Sequence, residues 1–205
     1  MSGQRPAYCW EDSLNGMSPN NSGLVAMGRF NSSPEFYVTK TLHKQTMGDI
    51  MKILQEGNPI LNFKVTRFDD FQRNLDTANT MLRWIVSHKR LLRTTVGLAS
   101  NQLGLNGRVI LVRDSIHKGF KILINPSFEV VGTSESRVVE SCLSVKGDYE
   151  VSRWDKIRVI HEVLNFEDAE DQNPVKEDHF FEASFLSHVI QHEIDHLNGK
   201  LISGR

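Results

Sequence analysis

The stretch FLSHVIQHEIDHLNGK, residues 185–200, carries His192-Glu193-x-x-His196. Residues four apart on an α-helix lie one turn apart on the same face, so both imidazoles can reach a single ion. A glutamate beside the first histidine stands at the edge of such a site, where it can take a proton from a water that the ion activates. Leu186, Val189, Ile190, Ile194 and Leu197 supply one apolar stripe and predict a helix over 183–198. His188, His192 and His196 make a second stripe at four-residue spacing. The bland alternative is a polar, solvent-facing side that happens to hold histidines.

A catalytic site of this kind needs a third protein ligand and an open position. One class of zinc protease places that ligand six residues after the second histidine, in H-E-x-x-H-x-x-G-x-x-H. Here Gly199 fits, but the ligand position is Ile202, and LNGKLISGR holds no His, Cys, Asp or Glu. The third ligand must therefore lie upstream. The candidates are His43, His88, His117, His161, His179, His188, Cys9, Cys142 and many carboxylates. An ion held between positions i and i+4 sits beside that one turn, so His188 suits a neighbouring role better than ligation. Cys142 stands in VVESCLSV. A lone cysteine after such a run is most often a buried hydrophobe, and the residues alone do not choose among these candidates.

A formal charge of −1 gives no electrostatic reason to expect nucleic acid or an anionic membrane as partner. No apolar run approaches the roughly 20 residues that span a bilayer. Two cysteines, Cys9 and Cys142, make no disulfide framework and fit a reducing compartment. The start, MSGQRPAYCWEDSLNGMSP, lacks the basic and apolar regions of a secretory signal, so the cytoplasm is the expected location.

Residues 1–40 are rich in Asn, Ser, Gly and Pro and predict an irregular arm, with a single catalytic domain over 41–205. Within that domain, IMKILQEGNPIL (50–61) is a short apolar segment broken at Gly57 and Pro59. In TRFDDFQRNLDTANTMLRWIVSHKRLL, Phe68, Phe71, Leu75, Ala78, Leu82, Ile85 and Val86 recur at helical steps, and Thr66 with Asp69 resembles a capping box. Short β-rich runs follow at 108–114, 120–126, 128–132, 136–145 and 155–165. EDAEDQNPVKED (167–178) reads as an acidic turn, with HFFEA leading into the last helix. The expected fold class is α+β: mainly antiparallel β-sheets packed around a C-terminal metal-bearing helix, with one further long helix.

Three segments carry a resemblance. TVGLASNQ (95–102), ESCLS (140–144) and QHEIDH (191–196) resemble, in order, the signatures G-φ-G-φ-A-A-x-Q, E-G-C-L-S and Q-H-E-φ-D-H of the peptide deformylase family. RVILV and LINP between the first two signatures, and LNGKL after the third, agree as well, so the resemblance covers residues 50–202.

It implies a hydrolase that removes the formyl group from the N-terminal methionine of nascent polypeptides and releases formate. Cys142, His192 and His196 would be the metal ligands and Glu193 the general base and acid. Gln102 and the backbone N–H of Leu143 would donate to the oxyanion. Gly97, Leu98 and Ser141 would border the substrate channel, with the bare Gly97 letting a peptide approach. Glu140 would orient the loop or a ligand histidine. One divalent ion is implied, Fe(II) first, with Zn(II) and Ni(II) as alternatives. The implied partners are N-formyl-methionyl chains at the ribosome, in the cytoplasm or an organelle of bacterial origin.

The sequence departs from the family pattern at Thr95 and Ser141, where glycines are expected, and more mildly at Ser100. Those departures motivate one competing reading, a catalytically weakened peptide-binding protein with an altered channel. A metalloprotease with an unusual upstream ligand is another.

Overall fold

One strand, Val109–Asp114 (β2), reads VILVRD with no polar alternation, which requires cover on both faces. The computed structural model describes residues 51–67, 69–114, 119–164, 174–182 and 184–204, and it contains both covers. A helix at Phe71–Ser87 (α1) brings Ala78, Met81, Leu82 and Ile85 into one core with Val109 and Leu111. A helix at Phe185–Leu197 (α3) brings Val189, Ile190, Ile194 and Leu197 into a second core with Ile110 and Val112. Odd positions of β2 thus face α1 and even positions face α3, as the two-residue strand period demands.

The main sheet is antiparallel with five strands in the order β1 (Gly97–Ala99), β2, β3 (Gly119–Val130), β6 (Lys156–Leu164) and β7 (Pro174–Glu182). β4 (Glu135–Ser141) and β5 (Asp148–Trp154) form a separate antiparallel hairpin. Gln191 ties that hairpin to α3: its Oε1 accepts the Trp154 N–H at 3.0 Å and its Nε2 donates to the Trp154 carbonyl at 3.0 Å. The last helix therefore lies between the main sheet and the hairpin, the arrangement expected from the sequence.

Ser184 caps the N-terminus of α3 by accepting the Ser187 N–H. At the other end the buried Arg108 donates to the carbonyls of Val65, Leu197 and Pro126 and to Asn198 Oδ1. A cation with several donors suits the carbonyl-rich end of a helix. Gly199 follows with φ +72°, and a Cβ there would stand 2.5 Å from the Asn62 carbonyl oxygen, so only glycine lets the chain turn here.

Several expectations need correction. The N-cap of α1 is Asp70, whose carboxylate accepts the Arg73 N–H at 3.1 Å, and no Thr66 capping box starts the helix. The long helix stops at Ser87; a short one, Lys89–Thr94 (α2), follows His88. The runs at 120–126 and 128–132 belong to one strand, β3, kinked where its pairing shifts between Ile124 and Ser127 and Asn125 takes φ 48°. The run at 136–145 stops being strand at Ser141, which leaves Cys142 in a loop. β5 stood in no expected run. Residues 174–178, read as part of an acidic turn, and HFFE belong to β7. The expected arm at 1–40 lies outside the described residues. Among the described residues no helix is long and apolar enough to cross a membrane.

Candidate metal and proton-transfer site

Cys142 follows the last residue of β4, while His192 and His196 lie one turn apart on α3. Packing of the hairpin on the helix brings Cys142 Sγ to 3.1 Å from His196 Nε2, which is 3.2 Å from His192 Nε2. A tetrahedral ion with bonds of about 2.0–2.3 Å sets its donors roughly 3.3–3.6 Å apart. The cluster fits one ion after opening by a few tenths of an ångström. One soft thiolate with two imidazoles is also a set that leaves a fourth position for a reactant.

The surroundings decide which ring nitrogen points at the cluster. His192 Nδ1 is 2.8 Å from Glu140 Oε2, so its proton is held there and Nε2 is left as the donor to an ion. Burial favours the neutral acid for Glu140, yet hydrogen bonds from Arg153 and His192 outweigh it and hold the carboxyl at about 2. In the metal-free cluster burial pushes His192 down, but its bonds to Cys142 and Glu140 outweigh this and raise it to about 10, so an ion at Nε2 has a proton to displace. Burial and the neighbouring His192 lower His196 to about 3, which keeps its lone pair available. Arg153, only 1% exposed, reaches Glu140 at 2.6 Å and Asp195 at 2.5 Å. That chain of charges joins β4, β5 and α3 directly behind the cluster.

Glu193 lies one residue beyond His192 and is 4% exposed. Its Oε2 has no hydrogen-bond partner among the described residues, and burial raises its carboxyl to about 7. Gly97 makes the room for it. A Cβ at Gly97 would stand 2.3 Å from Glu193 Oε1 and 2.8 Å from both Cδ and Cγ. The bare glycine therefore accommodates this carboxyl. The Leu98 side chain is fully buried in the core shared with α1, because strand alternation turns it away from Glu193.

Gln102 lies on the 3₁₀ turn Ser100–Leu103. Its Oε1 accepts the Ala99 N–H at 2.9 Å, which fixes the amide and aims Nε2 at the cluster. Nε2 is 3.7 Å from Cys142 Sγ and 3.1 Å from Ser144 Oγ. The Cys142 sulfur also accepts the Ser144 N–H at 3.4 Å, and the Leu143 carbonyl accepts from Gln55 Nε2 at 3.1 Å. The loop carrying Cys142 and Leu143 is thus held from several sides.

Ser141 is exposed, and its hydroxyl donates to Asp148 Oδ1 at 2.6 Å across the hairpin. Its side chain is engaged there and does not fill the space beside Cys142. Thr95 is buried at the end of α2, where its N–H bonds the Leu91 carbonyl and its own carbonyl accepts Arg113 Nε.

Sequence reasoning assigned no role to Arg153, Asn101, Gln191 or Asp195. Asn101 Nδ2 donates to the His196 carbonyl at 2.6 Å. Gln191 and Asp195 sit inside QHEIDH, a signal that could have found them, whereas nothing in SRW points at Arg153.

Residues 50–205 match the family model described as polypeptide deformylase. A peptide deformylase of Bifidobacterium adolescentis is 32% identical over 167 residues, covering 74% of this chain and 71% of that protein. One of Prochlorococcus marinus (strain AS9601) is 30% identical over 198 residues, covering 92% and 88%. Among solved structures, a Plasmodium falciparum peptide deformylase in complex with an inhibitor superposes with TM-score 0.58 at 25% identity, covering 74% and 86%. An actinonin-bound class I type b peptide deformylase from Acinetobacter baumannii gives TM-score 0.60 over 76% and 97%, and at 23% identity shows the shared fold. By sequence and by fold alike, this chain belongs to the polypeptide deformylase family.

Proposed function

We propose that Glu193 is the proton-transfer group of a formyl-amide hydrolysis carried out beside the Cys142, His192 and His196 cluster. The reaction is the family's: removal of the N-formyl group from nascent peptides, with formate and a free amine as products. One observation carries the assignment of roles: a buried carboxyl with an unpartnered oxygen, seated in the gap left by Gly97 and next in sequence to a cluster ligand. The family is metal-dependent, and a divalent ion held by the three ligands would supply Lewis-acid polarisation and a more acidic water.

The chain's own groups then divide the work. Glu193 takes a proton from the attacking water as its oxygen forms a bond to the formyl carbon. Gln102 Nε2, fixed by the Ala99 N–H, and the Leu143 N–H donate to the oxygen on which negative charge develops. As the carbon–nitrogen bond breaks, Glu193 returns the proton to the leaving amine. Its raised affinity for a proton suits a group that must both take and give one near neutral pH. Glu140 and Arg153 hold His192 in register and touch no reactant.

The thiolate donor accommodates Fe(II) as well as Zn(II) or Ni(II), and Fe(II) is the ion proposed here. The substrate is an N-formyl-methionyl chain met at the ribosome, and a location in the cytoplasm or an organelle of bacterial origin follows from that substrate. The test is formate release from a short formyl-methionyl peptide by protein prepared without oxygen. Rapid release in wild type, absent in Glu193→Ala with the ion still bound, is the expected result. Equal release from Glu193→Ala would remove Glu193 from the mechanism.

A further inference from the structure

We propose that His161, Glu177 and His179 form a second divalent-cation site, on the β6–β7 pair and separate from the Cys142 cluster. The strand register makes the site. His161 pairs directly with Glu177, and His179 stands two residues along the same strand. Side chains at i and i+2 on one strand share a face with the residue opposite, so all three project together. They line a cavity of about 200 Å³ whose other walls include Val112, Leu123, Leu186 and Ile190. One donor atom from each residue lies within 4.8 Å of the others.

The spacing is close to what an ion requires. His179 Nε2 is 3.4 Å from Glu177 Oε2, near the ~3.3 Å between two donors bonded at about 2.0–2.1 Å to a tetrahedral ion. The His161 and His179 rings are nearly parallel, 17° apart with centroids at 5.4 Å; an ion lies in the plane of each imidazole that binds it, so one ring has to turn for the two to share it. Two imidazoles with one carboxylate suit Zn(II), Ni(II) or Cu(II) over Mg(II) or Ca(II). The set contains no thiolate, which separates it chemically from the first cluster.

A histidine–carboxylate ion pair without a metal is the competing account of the same contact. The two accounts differ at His161, which presents a third donor to the same cavity from the paired strand. Lys121 lines the same cavity, and its positive charge opposes a cation. The second site should therefore fill after the first. Filling it would brace β6 against β7 beside Leu186 and Ile190 of α3.

The experiment uses holoprotein whose first site is already occupied, dialysed against excess Zn(II) or Co(II). Wild type should take up a second equivalent. His179→Ala and Glu177→Gln should bind that equivalent at least about tenfold more weakly. Both variants should keep formate release, which reports that they are folded. The second Co(II) should add ligand-field absorption without a new sulfur-to-cobalt charge-transfer band, because no thiolate is present. Absence of a second equivalent in wild type would overturn the proposal. So would a second equivalent that survives in both variants, or one that arrives with a new thiolate band.

Discussion

At the scale of single residues, one glycine faces one buried acid beside the cluster. Gly97→Ala puts a methyl where the Glu193 carboxylate lies, and three side-chain atoms of Glu193 stand within 2.8 Å of it. Glu193 must move, and a displacement of about 1 Å in a reacting group can cost on the order of 100-fold in rate. The expected result is a loss of kcat/KM of that size with the ion retained, read from formate release together with metal content. Unchanged kcat/KM would show that Glu193 has other room. The acid itself makes a pH-dependent contribution to stability in metal-free protein. Burial raises its folded value from the ordinary 4.5 to about 7, so the folded state binds the proton more tightly than the unfolded state. That contribution is fully present below about pH 4.5 and is lost as pH rises through about 7. At pH 8 the buried charge then costs on the order of 3 kcal/mol. Metal-free Glu193→Gln should melt above metal-free wild type at pH 8, and the gap should close toward pH 4. A gap that widens on acidification would reverse the sign of the argument.

At the scale of elements, the β4–β5 hairpin and α3 are joined by buried charge. Arg153 answers Glu140 from its own hairpin and Asp195 from the helix, and Glu140 in turn holds His192. Removing one partner of a buried ion pair leaves an uncompensated charge and costs about 3–5 kcal/mol. Arg153→Met should lower unfolding stability by about that much in urea, and adding Glu140→Gln should restore part of the loss because the two residues act as a network. Fully additive losses would mean that the charges are not coupled. The same arrangement explains why β5 is hard to read from sequence. Its inward positions are Tyr149, Val151 and Arg153, and an inward arginine looks like a solvent-facing one. β7 hides for another reason. It is an edge strand with much of PVKEDHFFE exposed, so few apolar residues record its two-residue period. The last helix was legible because its apolar stripe and its histidines both follow the helical period, and both survive packing unchanged.

At the scale of the whole molecule, the three proposed ligands come from the end of the hairpin and from α3, so an ion held by them would fasten the hairpin to the helix. An ion that binds only the folded chain stabilises it by mass action, about 4 kcal/mol at a free concentration 1,000 times its Kd. In protein loaded with a single equivalent, chelation should lower the melting temperature and restoration of the ion should recover it, with Cys142→Ala showing neither response. A chelation response that persists in Cys142→Ala would mean that the stabilising ion sits elsewhere. Sequence by itself determined the His192 and His196 pair, the two faces of α3 and the α+β class, because these rest on local spacing and on residue chemistry that packing does not alter. It also carried Cys142 as candidate third ligand, Glu193 as candidate base and Gln102 and Leu143 as candidate donors, through three motifs that resemble the family's in order. Only the tertiary structure decided that Gly97 faces the Glu193 carboxyl, that Ser141 turns to Asp148, and that Arg153 stands behind His192. Each of those is a contact between residues brought together by strand pairing or by helix docking, and no local period in the chain records who will be the neighbour.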